Sequence, residues 1–225
     1  MGGTFGAAVA PGVDMRLLLI RHGRTRANQD GVLDTAPPGP ALTPAGRRQA
    51  AALVDALAGE DIGALYVSPL TRARMTAAPL SAALARQAVV RAGLREVEAG
   101  ALEGSTAPED IGRYAAVAAA WAAGRTGVPM PGAPSGAAFF RRFDGVVAEA
   151  AGCGAEVVAL VTHGTAVRVW TAARTANVSV DFVLEHEVSN TGVVAVEGTP
   201  ETGWHTVSWC GTALTTDALS GTGGA

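Results

Sequence analysis

The runs Leu19-Ile20-Arg21-His22-Gly23 and Val161-Thr162-His163-Gly164 decide the fold of this chain, because each places a histidine and a glycine directly after an apolar, β-like segment. A single histidine at the end of a strand is most often a structural residue. Two are more informative, because the carboxyl ends of parallel strands meet at one edge of an α/β sheet, where ligands bind. Arg72 follows a third apolar run, in Ser68-Pro69-Leu70-Thr71-Arg72. The three segments together predict a pocket for a dianion.

Strand and helix signals alternate along the chain. Near-continuous apolar runs of this length are typical of buried strands in a parallel sheet. Thr43-Pro44 and Ser68-Pro69 each combine an N-cap with a first-turn proline, which predicts helices to about residues 58 and 85. Further helices are expected at 110–123, 137–151 and 166–175. Strands are expected at 16–20, 62–67, 88–91, 156–162, 192–197 and 203–209. This order is typical of an α/β protein.

The chain has 225 residues, of which 48% are hydrophobic, so it can bury one sizeable core. Glycine and alanine are spread along the whole length, and no linker stands out. We therefore predict a single domain over residues 15–211. Residues 1–14 are predicted to form a disordered leader, and residues 212–225 a frayed tail.

Composition excludes several classes of function. The net charge is −3 without a basic stripe, which disfavours a nucleic-acid partner. No apolar stretch approaches the roughly 20 residues of a membrane span. All 17 basic residues are arginine, so chemistry that needs a lysine amine, as in Walker A loops, protein kinases and pyridoxal enzymes, cannot operate. Cys153 and Cys210 form no zinc or disulfide pattern, and a cytoplasmic location is expected.

The segment Arg21-His22-Gly23-Arg24-Thr25-Arg26-Ala27-Asn28 resembles the R-H-G-x-[ST]-x-x-N signature of the histidine phosphatase (phosphoglycerate mutase-like) superfamily. The resemblance continues through Ser68-Pro69-Leu70-Thr71-Arg72-Ala73, through Leu94-Arg95-Glu96 with Glu103-Gly104, and into Thr162-His163-Gly164. It implies a three-layer α/β sandwich with a mixed, mostly parallel central sheet flanked by helices on both faces. It also implies that the protein needs no metal or other cofactor.

The resemblance assigns a role to each matching residue. His22 is the expected nucleophile, Glu96 the proton donor, and Arg21, Arg72 and His163 the phosphate pocket. Supporting contacts to the substrate are expected from Thr25, Asn28 and Gly164. Glu98 and Glu103 lie close to Glu96 in sequence, and only the Leu-x-Glu frame favours Glu96 over them.

The chemistry gives these roles a physical reason. A neutral imidazole is a competent nucleophile near pH 7, and a phosphohistidine divides phosphoryl transfer into two steps. Two guanidinium groups and a protonated His163 are expected to hold the phosphoryl oxygens through the transition state. A carboxylic acid at Glu96 would then protonate the leaving alkoxide.

The resemblance covers both phosphatases and mutases. Arg24-Thr25 stands where the mutases usually have Glu-Ser, and the alanine-rich stretch 115–123 replaces their basic patch, so we favour a phosphatase acting on a small phosphorylated metabolite. A mutase stays open, because a second anionic group could be bound by Arg113, Arg125, Arg141 and Arg142. A phosphate-binding protein without catalysis is a third possibility. The expected assembly is a homodimer.

The remaining features carry less information. The loops 31–40, 105–114 and 127–136 are expected to set substrate specificity, and the last of them is either a lid or a surface connection. His186 and His205 are interpreted as structural, and Glu185 and Glu187 as solvated loop charges or pocket-lining residues. Core positions are expected for Trp121, Trp170, Trp204 and Trp209.

Overall fold

The computed structural model describes residues 15–214, and the predicted leader and residues 215–225 of the predicted tail lie outside this range. A seven-stranded sheet has the order β3-β2-β4-β1-β5-β6-β7. Its strands are β1 (Met15–Arg21), β2 (Ile62–Val67), β3 (Val89–Val90), β4 (Val157–Thr162), β5 (Val193–Thr199), β6 (Gly203–Trp209) and β7 (Thr212–Ala213). Strand β7 falls at the start of the predicted tail.

The sheet is divided into a parallel and an antiparallel half. The pairings β1–β4, β2–β4 and β2–β3 are parallel. The pairings β1–β5, β5–β6 and β6–β7 are antiparallel. The predicted α/β class and the mixed sheet are thus confirmed. The description "mostly parallel" fits only β1 to β4, the half that carries both histidines.

Helices cover both faces of the sheet, as the sequence predicts. Along β1, Leu18 and Ile20 face one core cluster that includes Leu53. Leu17 and Leu19 face the other, larger cluster. Because both faces are buried, β1 needs apolar residues at consecutive positions rather than at alternate ones. The helices are α1 (Arg26–Asp30), α2 (Pro44–Ala56), α3 (Thr71–Ala83), α4 (Pro108–Ala122), α5 (Gly136–Ala151), α6 (Gly164–Arg174) and α7 (Val180–Glu185).

Most of the predicted elements are present within a few residues of their expected ends. Thr43 caps α2 as expected, since its side chain accepts a hydrogen bond from the amide of Gly46. The predicted cap of α3 is wrong: Leu70 occupies the N-cap position, and no side chain caps the helix. The Ser68 hydroxyl instead contacts His163. The short helices α1 and α7 were not expected.

The tryptophans lie where the sequence suggests. Trp121 and Trp170 are fully buried, and Trp204 and Trp209 are buried as well. His186 is exposed and stacks on Phe182. Within residues 15–214, no helix is both long enough and apolar enough to cross a membrane.

Candidate active site

The two histidines of the opening motifs lie next to each other at the carboxyl edge of the sheet. In the register of β1 and β4, Arg21 pairs with Thr162, so the residues that follow them, His22 and His163, leave the sheet side by side. Their ring centroids are 5.1 Å apart in an edge-to-face arrangement. Arg72, the second residue of α3, completes this group. The structure therefore brings together the four predicted phosphate-pocket residues.

Hydrogen bonds fix the tautomer of His22. Its Nδ1 lies 2.8 Å from the carbonyl oxygen of Gly23, which can only accept, so Nδ1 carries the proton. Its Nε2 therefore presents a lone pair, and it accepts a hydrogen bond of 3.0 Å from Arg72 Nε. Burial, reinforced by Arg72 and Arg21, holds the pKa of His22 well below its ordinary value of 6.5. The ring is thus a neutral imidazole with its nucleophilic nitrogen beside a guanidinium group.

Arg72 is held by a residue that the sequence analysis did not single out. Its Nη1 lies 3.3 Å from the Asp34 carboxylate, and its Nη2 donates to the Asp34 carbonyl at 2.9 Å. Burial raises the pKa of Asp34, and Arg72 opposes that rise. Gly39 leaves room for this contact: a Cβ there would lie 2.4 Å from Arg72 Nη1, and φ is +66°. The loop 31–40 therefore borders the site through Asp34.

Arg21 is the last residue of β1. It donates through Nη1 to the carbonyl of Val188, while its buried Nε has no partner among residues 15–214. Gly164, the first residue of α6, packs against it, and a Cβ at 164 would lie 3.0 Å from Arg21 Nε. Gly164 thus provides the space in which the Arg21 guanidinium sits.

The carboxylate of Glu96 is held at the N-terminus of α6. Oε1 accepts hydrogen bonds from the amides of Val97 (2.9 Å) and Ala166 (2.7 Å), and Oε2 accepts one from Thr165 (3.1 Å). Unpaired amides and the helix dipole make this end of a helix favourable for an anion. The carboxyl group therefore has a defined orientation.

Arg142 fixes the backbone that carries Glu96. Its guanidinium donates to the carbonyls of Gly93 (2.7 Å), Arg95 (2.6 Å) and Glu96 (2.6 Å). Burial, together with nearby Arg95, lowers the pKa of Arg142 to about 10. Arg142, which the sequence analysis kept as a possible ligand for a second anionic group, uses three of its five donors on these carbonyls and does not line the cleft.

The rival carboxylates are used elsewhere. Glu98 forms an ion pair with Arg95 at 2.7 Å. Glu103 accepts hydrogen bonds from the backbone amides of Thr35 (2.7 Å) and Ala36 (3.0 Å), which anchors the loop next to Asp34. A cleft at this edge of the sheet is lined by residues that include Arg21, His22, Asn28, Asp34, Arg72 and Glu96. Of the three candidate glutamates, Glu96 alone lines this cleft.

His163 differs from its predicted state. It is completely buried, and this burial, with the charge of Arg72 as a further cause, holds its pKa well below 6.5. In the free protein these causes favour a neutral His163, whereas the sequence analysis expects a protonated ring in contact with the phosphoryl oxygens. Its Nε2 lies 2.8 Å from the hydroxyl of Ser68, and its Nδ1 has no partner among residues 15–214.

A neutral histidine beside two guanidinium groups, with an oriented carboxyl group across the cleft, is an arrangement suited to phosphoryl transfer. The family model described as the histidine phosphatase superfamily (branch 1) matches residues 17–212. The chain belongs to this superfamily.

Two curated relatives come from Mycobacterium tuberculosis. The PE-PGRS family protein PE_PGRS11 is 38% identical over 209 residues, which are 85% of this chain and 36% of that protein. An uncharacterized protein is 48% identical over 64 residues, which are 28% of this chain and 31% of that protein. The chain thus spans about a third of the length of the curated relatives it matches.

Solved structures share the fold of this superfamily member. Mycobacterial hydrolase 1 superposes with a TM-score of 0.75 at 23% identity, covering 89% of this chain and 100% of the other. A mycobacterial glucosyl-3-phosphoglycerate phosphatase has a TM-score of 0.73 at 24% identity, covering 87% and 98%. A putative alpha-ribazole-5'-P phosphatase from Escherichia coli has a TM-score of 0.65 at 25% identity, covering 91% and 98%.

The two polar residues of the superfamily signature have different places. Asn28 lines the cleft, whereas the buried Thr25, like the buried His163, does not line it in the free protein. The Thr25 hydroxyl accepts a hydrogen bond from the amide of Asn28, and Asn28 Oδ1 accepts one from the amide of Thr25. This reciprocal capping box begins α1 and holds Asn28 in position.

The lining of the cleft also includes Tyr114, Arg168 and Glu187. Tyr114 is the last residue of the loop 105–114, which was expected to set specificity, and pocket lining was one of the two interpretations of Glu187. The sequence analysis did not select Arg168. Neither Arg113, Arg125 nor Arg141 lines the cleft, and the segment 127–136 contributes nothing to its lining. Arg168 is therefore a cation that lines the cleft in addition to Arg21 and Arg72.

Proposed function

We propose that the protein is a metal-independent phosphomonoesterase that acts on a small phosphorylated metabolite through a phosphohistidine. The observation that carries this proposal is the lone pair of His22 Nε2, which lies 3.0 Å from Arg72 Nε within a buried cationic group. The guanidinium can bind the oxygens of a phosphoryl group while the neutral imidazole beside it attacks the phosphorus atom.

The first step forms a bond between His22 Nε2 and phosphorus and breaks the ester P–O bond. The leaving alkoxide takes a proton from the Glu96 carboxyl group and departs as an alcohol. In the second step water attacks phosphorus, the bond between His22 Nε2 and phosphorus breaks, Glu96 recovers a proton from that water, and phosphate is released. Arg21 and Arg72 neutralise the charge on the equatorial oxygens throughout.

The comparisons support the substrate class. One solved relative carries the name of a glucosyl-3-phosphoglycerate phosphatase and another that of a putative alpha-ribazole-5'-P phosphatase. Both names describe small phosphate esters. The cleft of this chain presents Asp34, Arg168 and Glu187 beyond the phosphate pocket, and these polar groups favour a hydrophilic leaving group over an apolar one.

A mutase is the second candidate, and Arg168 is the observation that favours it. This cation lines the cleft and forms no ion pair with a carboxylate among residues 15–214, so it could bind the carboxylate of a phosphoglycerate. A silent phosphate-binding protein is the third candidate. Such a protein would have no use for an oriented Glu96 carboxyl group beside an intact His22.

One experiment separates the three candidates. The protein is incubated with p-nitrophenyl phosphate, and separately with 3-phosphoglycerate and its bisphosphate primer, in each case with EDTA. Phosphate release that depends on His22 supports the phosphatase proposal. Exchange of phosphoglycerate isomers without phosphate release would show instead that the protein is a mutase. Tight orthophosphate binding without turnover would indicate a binding protein. His22→Ala serves as the negative control in every assay.

A further inference from the structure

Ser68 and His163 form a buried pair behind the phosphate pocket. Ser68 follows β2, and its amide donates to the carbonyl of Val161 in β4, so it lies beside the residues that end β4. The side chains of both residues are fully buried. Ser68 Oγ lies 2.8 Å from His163 Nε2, a distance at which either atom could donate the proton. The proposed chemistry leaves this hydroxyl without a role.

The remaining contacts of the pair decide the direction of this hydrogen bond. Ser68 Oγ also accepts a hydrogen bond of 3.4 Å from the amide of Leu70. If His163 Nε2 were the donor, the hydroxyl proton would find no acceptor among residues 15–214, and Nδ1 would be an unused acceptor. If the hydroxyl is the donor, only the Nδ1–H group stays unpaired. Buried polar groups without partners are costly, so the second arrangement is favoured.

We propose that Ser68 is a positioning residue that holds His163 as the Nδ1–H tautomer, so that this neutral ring donates a hydrogen bond to a phosphoryl oxygen. The proposal rests on the phosphate-binding role of the pocket. It explains why a buried Nδ1 stands without a protein partner: its acceptor is the substrate. It also explains how His163 contributes to anion binding while it carries no net charge.

The proposal gives the two histidines the same tautomer and opposite roles. The carbonyl of Gly23 keeps the proton on His22 Nδ1, which leaves Nε2 as a nucleophile. The hydroxyl of Ser68 keeps the proton on His163 Nδ1, which leaves that proton for the substrate. A backbone carbonyl can only accept and a hydroxyl can also donate, so the choice of partner decides which ring nitrogen remains for chemistry.

The direct test is the tautomer itself. Two-dimensional proton–nitrogen NMR of the uniformly ¹⁵N-labelled, full-length protein distinguishes a protonated ring nitrogen from one with a lone pair. At pH 7 we expect His163 to show a protonated Nδ1 and an unprotonated Nε2. A protonated Nε2, or an imidazolium, would overturn the proposal whether or not the protein turns over any substrate.

Variants of Ser68 test the consequence. Ser68→Ala removes the donor, and we expect kcat/KM for p-nitrophenyl phosphate to fall roughly 10- to 100-fold, the range seen for partners that orient metal-bound histidines. Orthophosphate binding should weaken as well, and the His163 signals should lose the pure Nδ1–H pattern. Ser68→Thr keeps the hydroxyl and should restore both the tautomer and part of the activity.

Thr206→Val is the matched control, since it removes a fully buried hydroxyl on β6 that bonds Thr175 and lies outside the cleft. It should change stability without changing the His163 signals. If Ser68→Ala retained the wild-type tautomer and wild-type kcat/KM, the proposal would be wrong. If the wild-type protein showed the expected tautomer but no phosphatase activity, only the proposed function would fail.

Discussion

Asp34 holds Arg72 in two ways: its carboxylate lies 3.3 Å from Nη1, and its carbonyl accepts a hydrogen bond from Nη2 at 2.9 Å. Because Nε donates a hydrogen bond to His22 Nε2, every nitrogen of this guanidinium has a protein partner in the free protein. Nη1 and Nη2 each keep a second N–H group with which Arg72 can bind a phosphate group. The Asp34 carboxylate thus lies against the cation that a phosphate would bind, and its negative charge opposes phosphate binding.

Asp34→Asn should strengthen phosphate binding, because it removes a negative charge from the pocket while the Asp34 carbonyl still positions Arg72. We expect the inhibition constant of orthophosphate to fall about 3- to 30-fold, consistent with the loss of one partly screened charge contact. Competition against p-nitrophenyl phosphate measures this constant. Asp30→Asn is the control, since it removes an exposed carboxylate that pairs with Arg26. Weaker phosphate binding in Asp34→Asn would show instead that the carboxylate is needed to position Arg72.

Gly164→Ala should reduce activity without reducing stability. The new Cβ would lie 3.0 Å from Arg21 Nε and 3.2 Å from its Cδ, so the guanidinium must shift by a few tenths of an ångström from its position in the phosphate pocket. Alanine is also a better helix former than glycine. We expect kcat/KM to fall at least 10-fold, while the unfolding midpoint in urea is maintained or increased.

The control for that variant is Gly145→Ala, in the interior of α5, where a Cβ would meet no atom within 4 Å. It should raise the free energy of unfolding by about 1 kcal/mol and leave kcat/KM unchanged. Equal activity in the two variants would show that the position of Arg21 tolerates the extra methyl group.

The sequence predicts the parts of this fold that depend on local signals. The apolar runs of β1 and β4 need only burial on both faces, and the Thr43-Pro44 cap of α2 needs only its own first turn. The proximity of His22 and His163 follows from the two strands, because these residues leave neighbouring parallel strands. The helices α1 and α7 have five and six residues, too few for a helical period to be visible.

Long-range contacts explain what the sequence could not predict. Ser68-Pro69 satisfies the local pattern of a helix cap, yet the serine hydroxyl contacts a histidine 95 residues away. Asp34 reaches Arg72 because Glu103 anchors the adjacent Thr35, a contact between residues 68 positions apart. An acidic residue inside a proline-rich loop next to the first motif was the one available signal for Asp34.

Glu96→Gln should affect poor leaving groups far more than good ones. The substitution removes the proton that a leaving alkoxide needs. The new side-chain amide also places an N–H group against one of the three backbone amides that now donate hydrogen bonds to the carboxylate. We expect kcat for an alkyl phosphate such as glycerol phosphate to fall 10²- to 10⁴-fold. The decrease for p-nitrophenyl phosphate should be much smaller, because nitrophenolate leaves without full protonation.

Glu98→Gln is the control for that variant, since Glu98 pairs with Arg95 and does not line the cleft. It should leave the ratio of the two substrates unchanged. Equal losses for both substrates in Glu96→Gln would assign the proton transfer to another group.

The stability of the protein should decrease as the pH falls below about 6.5. His22 and His163 are buried, and their folded-state pKa values lie well below 6.5, whereas in the unfolded chain they titrate near 6.5. Below that pH the unfolded state therefore binds protons that the native state does not. As the pH decreases, the free energy of unfolding decreases by at most about 1.4 kcal/mol per pH unit for each histidine.

Urea unfolding at pH 7.5, 6.5 and 5.5 measures this dependence. The range ends at pH 5.5 because hydrogen bonds with Arg91 lower the pKa of Glu149. The stability that this carboxylate contributes is therefore lost only as the pH falls below about 4.5. In His163→Asn the decrease between pH 6.5 and 5.5 should be smaller than in the wild type, whatever the absolute stability of the variant. A free energy of unfolding that stayed constant from pH 7.5 to 5.5 would mean that both imidazoles accept protons in the folded protein, and a neutral His22 could then not serve as the nucleophile at the acidic end of that range.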